Sequence, residues 1–222
     1  MHIPDGVLST PVIMVTNSFS MVVVGIVWKK IKQFLTQNYV PKIALLAAFL
    51  FVAQMINIPI SMGISAHFVG ATLTVLLVGP ALGIFVMVLI LTVQMFIFQD
   101  GGLFAWGANV VNIATVPILM SFFIFSVCQK FFEKYNHLIS LRAVIIFLTA
   151  GISIQMGAFF SGLEIGLSGL APLQKIISII VIVHSGTGIL EGIITVIIFE
   201  LIRANRPDLI FSIFSQPGLL NE

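Results

Sequence analysis

Long uncharged apolar stretches alternate with short polar connections along most of the 222-residue chain. A helix needs about 20 apolar residues to cross a bilayer core of ~30 Å. The pattern therefore predicts membrane-spanning helices. Five such stretches cover residues 11–28, 43–59, 105–127, 143–161 and 176–202.

A sixth stretch, residues 66–98, contains no Lys, Arg, Asp or Glu. As one helix it would be roughly 50 Å long at 1.5 Å per residue, too long for a single crossing. Gly79-Pro80 interrupts it, and proline removes a backbone donor and breaks a helix. We therefore expect one short helix over 67–78 and a longer one over 80–98.

The basic residues support this division. With two helices in 66–98, nine of the ten basic residues fall on one side of the membrane and Lys175 on the other. The positive-inside rule then predicts an all-α bundle of seven transmembrane helices, with the N-terminus outside and the C-terminus in the cytoplasm. We interpret 1–222 as a single transmembrane domain with a cytoplasmic tail at 206–222. The nine residues are Lys29, Lys30, Lys32, Lys42, Lys130, Lys134, Arg142, Arg203 and Arg206.

Composition agrees with a multi-pass membrane protein: 59% of the residues are hydrophobic, 8% are charged, and the mean hydropathy is +1.18. A water-soluble domain has about a quarter of its residues charged. The net charge of +2 does not indicate a nucleic-acid partner, because the basic residues serve to orient the chain in the membrane. Cys128 is the one cysteine, which excludes a disulfide framework. The start of the chain has no signal-peptide pattern, so we expect insertion through the transmembrane segments themselves.

Polar residues at membrane depth are costly and therefore informative. Several collect at the predicted outer ends of the helices, where the N-terminus also lies, and they suggest capture of a small polar species. No serine or cysteine has an evident histidine and carboxylate partner, so an enzyme is not expected. The polar residues in or near the spans are Gln54, Asn57, His67, Gln94, Asp100, Asn109, Asn112, Gln155, His184 and Glu191.

The start Met1-His2 can chelate a cation through the α-amine, the His2 backbone nitrogen and the His2 imidazole. An α-amine ordinarily has a pKa of ~7.7–8.0, so a metal can displace its proton near neutral pH. Binding through a deprotonated amide and a plane of nitrogens favours Ni(II) or Cu(II). Residues 3–6 form a stiff turn that would fold the 1–9 loop back, and His67 is the best-placed fourth donor.

Six further polar residues are candidates for supporting these ligands or guiding the ion. His184 and Glu191 lie seven residues apart, hence on one face of the last helix. They either orient the ligands or form a polar pair that holds helices together. A different class, a membrane metalloprotein or redox subunit, would use His67 and His184. The six residues are Asp5, Asn57, Asp100, Asn109, His184 and Glu191.

Six segments in order along the chain carry a resemblance to the substrate-binding membrane subunit (S component) of nickel or cobalt energy-coupling factor transporters, the nickel-type NikM and cobalt-type CbiM family. The segments are MHIPDGVLS at 1–9, QMINIPI at 54–60, GISAHFVGATL at 63–73, LLVGP at 76–80, FQDGGLFAWGANVVN at 98–112 and HSGTGILEGIIT at 184–195. The family has seven helices and an inserted N-terminal loop.

This resemblance implies a planar four-nitrogen site from Met1, His2 and His67. Ni(II) is the implied transported substrate, because the MHIPDG start is similar to that of nickel members; Co(II) is the alternative. The family's usual Gly-Thr-Ser-Gly-His is here residues 63–67, Gly-Ile-Ser-Ala-His, which removes one hydroxyl and one glycine beside the ligand.

The resemblance also implies partners. The chain has no nucleotide-binding loop, so ATP hydrolysis is expected in a separate ATP-binding subunit. A coupling transmembrane subunit and a small accessory membrane subunit complete the implied transporter, in the cell membrane of a prokaryote. Thr16 and Ser20 form a small-xxx-small pair that is a candidate contact with the coupling subunit.

Overall fold

The computed structural model describes residues 2–32, 35, 40–61, 64–135 and 138–211. The described part is a bundle of helices with one small hairpin of strands. A four-residue helix, a π-helical segment and a further α-helix run on without interruption from 106 to 135. In chain order the elements are α1 (Thr10–Ile31), α2 (Val40–Met55), β1 (Asn57–Ser61), β2 (Ile64–His67), α3 (Ala71–Phe98), α4 (Trp106–Asn109), the π-helix Val110–Thr115, α5 (Val116–Tyr135), α6 (Ile139–Leu167), α7 (Leu173–Asn205) and a 3-10 turn (Pro207–Leu209).

The helices agree with a multi-pass membrane protein. Within the described ranges, five helical stretches are long and apolar enough to cross a bilayer, and α2 is a shorter apolar helix of 16 residues. The predicted helical membrane architecture is therefore confirmed. The count of seven crossings and the orientation of the termini stay predictions.

The all-α prediction needs one correction, between α2 and α3. β1 and β2 pair antiparallel, with Asn57 opposite His67 and Pro59 opposite Ser65. The predicted helix over 43–59 ends at Met55 because Pro59 cannot donate a helical hydrogen bond. The β1 segment Asn57–Ser61 is a five-residue run, a length typical of a strand and short for a helix.

The break predicted at Gly79-Pro80 is confirmed. Gly79 has φ 75° and ψ 177°, a conformation that is essentially restricted to glycine. A Cβ added at Gly83 would lie 3.0 Å from the Cγ2 atom of Thr74. Nine residues span about 13.5 Å along a continuous helix, so the two halves of α3, 71–78 and 80–98, fold back on each other.

The sequence pattern predicts that this helix begins at residue 67, but the first half of α3 begins at Ala71. β2 ends at His67, and residues 68–70, which connect β2 to α3, are not helical. The 71–78 half is only about 12 Å long. Non-helical backbone at 67–70 therefore makes up part of the depth that the sequence assigned to a helix.

The chain that follows α7 returns to the break in α3. Pro80 has no N–H, so the carbonyl of Leu76 lacks its usual helical donor. The backbone N–H of Phe211 donates to this carbonyl at 2.8 Å. The Phe211 ring also packs against Gly79, where a Cβ would come within 2.7 Å of it.

α1 is fastened to the loop that leads into α4. Ser20 Oγ donates to the carbonyl of Gly107 at 2.7 Å. Asn17 donates to the carbonyl of Phe104 at 2.7 Å and accepts from the Gly107 N–H at 3.1 Å. Thr16 is buried beside them. The Thr16–Ser20 pair thus packs within this chain, and the expectation that it contacts another subunit is wrong.

Candidate functional site

The N-terminal loop is buried in the bundle. The side chains of His2 and Ile3 are 2% and 0% exposed. Asn109 holds Ile3 from both sides, since its Oδ1 accepts from the Ile3 N–H at 2.7 Å and its Nδ2 donates to the Ile3 carbonyl at 3.0 Å. The Gly102 N–H donates to the same carbonyl at 2.9 Å. Asn109 therefore pairs with the loop as a neighbouring strand would.

Asp5 fixes the other end of this loop. Its carboxylate accepts three consecutive backbone N–H groups, from Leu103 at 2.9 Å, Phe104 at 2.8 Å and Ala105 at 3.1 Å. Gly102 is required beside it, because a Cβ there would overlap the Asp5 carboxylate. The turn at residues 3–6 and the loop before α4 are thus locked together.

The loop brings the His2 imidazole onto that of His67. The ring centroids are 4.5 Å apart and the ring planes are inclined by 16°. His67 is 2% exposed, and its Nδ1 donates to the Phe68 carbonyl at 2.8 Å. The His67 Nε2 and the His2 Nε2 are buried and have no hydrogen-bond partner among the described residues. Buried nitrogens without partners are uncommon and suit a ligand.

Electrostatics keep both imidazoles neutral. Burial lowers the pKa of His2 below 6.5, although Asp100, whose Oδ1 lies 3.2 Å from His2 Nδ1, acts in the opposite direction. Burial lowers the pKa of His67 well below 6.5. Burial alone would raise the pKa of Asp100, but the contact with His2 outweighs it and the pKa is lowered. Neutral imidazole is the form that binds a metal ion.

Four of the candidate residues from the sequence surround the His2–His67 pair or hold its loop: Asp5, Asp100, Asn109 and, through backbone pairing, Asn57 opposite His67. Met1 and the side chain of Asn57 lie outside the described part of the structure. Among the described residues, no three His, Cys, Asp or Glu side chains converge in a group that could hold a metal ion.

His184 and Glu191 are both fully buried on α7. His184 Nδ1 donates to the Ile180 carbonyl one turn earlier at 2.7 Å, while its Nε2 has no partner in the described ranges. Glu191 does not bond to His184. Its two oxygens accept from the backbone N–H groups of Val69 and Gly70, so the interpretation as a His184–Glu191 pair is wrong.

Three buried polar residues were not among the six candidates for supporting the ligands or guiding the ion. Asn112, in the π-helix, donates from Nδ2 to Glu164 Oε2 at 2.6 Å. Gln54 and Gln94 bond to each other. These contacts join residues 40 or more positions apart. The sequence therefore singles these residues out only by their polarity at membrane depth and does not identify their partners.

The chain matches one family model over residues 2–209, the CbiM model described as a cobalt uptake substrate-specific transmembrane region. A protein of Archaeoglobus fulgidus, named provisionally as a fused nickel transport protein NikMN, is 35% identical over 212 residues, which are 95% of this chain and 68% of that protein. The cobalt transport protein CbiM of Thermosipho melanesiensis is 29% identical over 94% of this chain and 89% of its own length.

A solved structure is also similar. The crystal structure of a truncated transition metal transporter superimposes with a TM-score of 0.79 at 28% sequence identity. The match covers 92% of this chain and 99% of the other. The likeness therefore extends over nearly the whole fold and is not confined to a few long helices.

Proposed function

Because this chain belongs to the CbiM family of substrate-specific transmembrane regions, we propose that it captures Ni(II) outside the cell and delivers it for ATP-driven uptake. The family match and the names of its relatives make it a membrane component for transport of nickel or cobalt. The proposal assigns ATP hydrolysis to a separate subunit. Nickel is the proposed substrate, and Co(II) is the alternative.

The observation that carries the proposal is the contact of His2 with His67 in a buried pocket, each with a nitrogen that has no partner among the described residues. A buried terminal loop has no structural need for an imidazole. Its insertion brings the His2 imidazole and backbone to His67, and the sequence supplies an α-amine one residue earlier. We propose Met1, His2 and His67 as the donors of a planar four-nitrogen site.

The nitrogen assignment at His67 follows from its hydrogen bond. Its Nδ1 donates to the Phe68 carbonyl, which leaves Nε2 as the donor to the ion and fixes the ring orientation. An ion bound by two imidazoles lies in the plane of each ring. The stacked rings must therefore tilt or slide relative to each other when the ion binds.

The basic residues support the proposed orientation, with the site facing outward. Arg142 at the start of α6 and Glu200 near the end of α7 form an ion pair at 2.6 Å. Lys42 at the start of α2 is close enough to interact with Asp208 in the tail. These groups lie at one end of the bundle, away from His2. We propose that this is the cytoplasmic end, where a coupling transmembrane subunit, an ATP-binding subunit and a small accessory subunit act.

Adding one residue before Met1 tests the proposed site directly. The extra residue moves the α-amine away and replaces it with a peptide nitrogen. Purified wild-type protein with Ni(II) should show the yellow, diamagnetic spectrum of a planar nitrogen complex, and the extended variant should not. Retained binding and uptake in the extended variant would eliminate the terminal-amine site.

A pair of histidine variants separates transport capture from a metalloprotein that uses His67 and His184. His67→Ala should abolish the Ni(II) spectrum, whereas His184→Ala should retain it. Loss of metal binding in both variants would favour the metalloprotein. Competition between Ni(II) and Co(II) for the isolated protein decides the substrate: tighter binding of Co(II) would replace nickel by cobalt in the proposal.

A further inference from the structure

Three fully buried polar residues from three different helices form a connected set beside the site: Gln54 in α2, Gln94 in the second half of α3 and Glu191 in α7. We call Gln54, Gln94 and Glu191 the polar frame. Each makes a hydrogen bond to a residue at least 15 positions away in the sequence. None is part of the proposed donor set.

Glu191 holds the backbone that follows His67. Its Oε2 accepts from the Val69 N–H at 2.8 Å and its Oε1 from the Gly70 N–H at 3.0 Å. Non-helical backbone within a membrane protein is tolerated only where its polar groups are satisfied by the protein. The carboxylate also faces the N-terminal end of α3, where negative charge is stabilising. It thereby fixes the segment 68–70, two residues from the His67 imidazole.

Gln54 holds the same segment from the opposite side. Its Nε2 donates to the Val69 carbonyl at 2.9 Å. Val69 thus has its N–H bound to α7 and its carbonyl bound to α2. Two opposed hydrogen bonds to a single residue define its position more closely than packing alone, and His67 shares this backbone.

Gln94 extends the connection to the other histidine. Its Nε2 donates to Gln54 Oε1 at 3.1 Å. This bond turns its Oε1 the other way, and that oxygen is buried with no hydrogen-bond partner among the described residues. The Gln94 side chain lies within interaction range of the His2 imidazole. Hydrogen bonds therefore connect the backbone beside His67 through Gln54 to Gln94, and the Gln94 side chain lies near the ring of His2.

We propose that Gln54, Gln94 and Glu191 are positioning residues that set the relative placement of the His2 and His67 imidazoles and so favour ions that accept a planar set of nitrogens. This inference rests on the proposed function, because it concerns how the same site selects its ion. The free Gln94 Oε1 accepts the N–H of His2 that does not face the ion, as the Phe68 carbonyl does for His67. Partners of this kind usually change metal affinity about 10–100-fold when removed.

The test compares Gln94→Leu and Glu191→Gln with a matched control, Glu200→Gln. Glu200 is on the same helix as Glu191, and its partner is Arg142 at the other end of the bundle. We expect Ni(II) affinity to fall about tenfold or more in the first two variants, the visible Ni(II) band to shift, and the Ni(II)-to-Co(II) affinity ratio to fall. The control should lower thermal stability but keep the affinity within about twofold and leave the band and the ratio unchanged.

Affinity alone would not distinguish positioning from a general loss of stability, so the band position and the ion ratio decide. Gln94→Leu and Glu191→Gln with an unshifted band and a wild-type ratio would overturn the proposal, even with lower stability. Gln94→Asn keeps the amide but shortens it, and an intermediate shift is expected; it serves if a frame variant does not fold. A wild-type spectrum in His67→Ala would instead refute the proposed function itself, independently of the frame.

Discussion

The N-terminal loop (residues 2–9) and the helix that follows it, α1, differ in burial. The difference is opposite to the one that water-soluble proteins show. The loop begins with His2 and Ile3, which are almost completely buried. α1 is a 22-residue helix, and only 17% of its most apolar 18-residue stretch is buried in the protein. Val15 on this helix is 68% exposed. In a water-soluble protein the loop would be outside and the apolar helix inside.

The reversal follows from the solvent. Lipid is as apolar as a leucine side chain, so burying an apolar face in the protein yields no hydrophobic gain in the membrane. Specific polar contacts decide what goes inside. The loop has such contacts from Asn109 and Asp5, whereas α1 has them only where Asn17 and Ser20 meet the 104–107 loop. Changes to the loop contacts should therefore matter more than changes to most of α1.

Asn109→Ala should give the largest effect. It removes both bonds to Ile3 and leaves the buried Ile3 N–H without a partner, at a cost of about 1–3 kcal/mol, while the Ile3 carbonyl keeps its bond from Gly102. If the loop delivers donors to the ion, Ni(II) affinity should fall roughly ten- to hundredfold by calorimetry. Asn205→Ala is the matched control, because its amide bonds to Leu201 one turn earlier on an exposed helix end. Equal Ni(II) affinity in the two variants would mean that the loop can present its donors without the Asn109–Ile3 hydrogen bonds.

Acid should destabilise the metal-free protein through the two buried histidines. Their pKa values in the folded state lie below 6.5, the ordinary pKa of a histidine, so below pH 6.5 the unfolded chain binds protons that the folded chain does not. Stability should be constant above about pH 7.5 and fall as the pH drops from about 6.5, by up to about 1.4 kcal/mol per pH unit for each histidine. Thermal unfolding in detergent between about pH 7.5 and 5 measures this slope.

His67→Gln supplies the comparison for that slope. One of the two buried imidazoles is then missing, so the decline in stability below about pH 6.5 should be roughly halved. The comparison concerns the slope and not the absolute stability, because the substitution also changes packing against His2. An unchanged slope would show that the pKa of His67 is not lowered in the folded protein.

Asp5→Ala should have a smaller effect on binding. Three backbone N–H groups lose their acceptor, but Asp5 is exposed, so water can replace the carboxylate. Loss of a cap of this kind costs about 1 kcal/mol, which corresponds to roughly fivefold in Ni(II) affinity. Asp5→Asn retains one acceptor oxygen and should lie between Asp5→Ala and the wild type. A loss as great as that of Asn109→Ala would contradict the ranking.

The sequence predicts the membrane class, the long helices and the break at Gly79 because each depends on local chemistry. Apolar length sets a span, and proline removes a helical donor wherever it stands. The hairpin formed by β1 and β2 is harder to predict from the sequence. Residues 57–67 are surrounded by apolar runs, and hydropathy alone does not separate a buried strand from a helix. Pro59 indicates only that the helix ends before it, and nothing local specifies the strand that follows.

The candidate site divides in the same way. The Met1-His2 start and His67 could be singled out from donor chemistry and from the resemblance, and the structure brings His2 and His67 together. The contacts that hold them could not be predicted. Asn109 is 106 residues from Ile3, and Glu191 is 122 residues from Val69. Such pairs depend on how the helices pack, which local patterns do not specify.

The smallest effect is expected on the outward face of α1. Val22 is 61% exposed, so Val22→Ala should leave Ni(II) affinity within about twofold of the wild type and alter stability by no more than about 0.5 kcal/mol. Ser20 lies two residues away but is fully buried against Gly107. Ser20→Val removes that hydrogen bond and adds volume at a close contact, and it should lower thermal stability by about 1–3 kcal/mol. If Val22→Ala were the more damaging of the two, the exposed face of α1 would contact another protein instead of lipid.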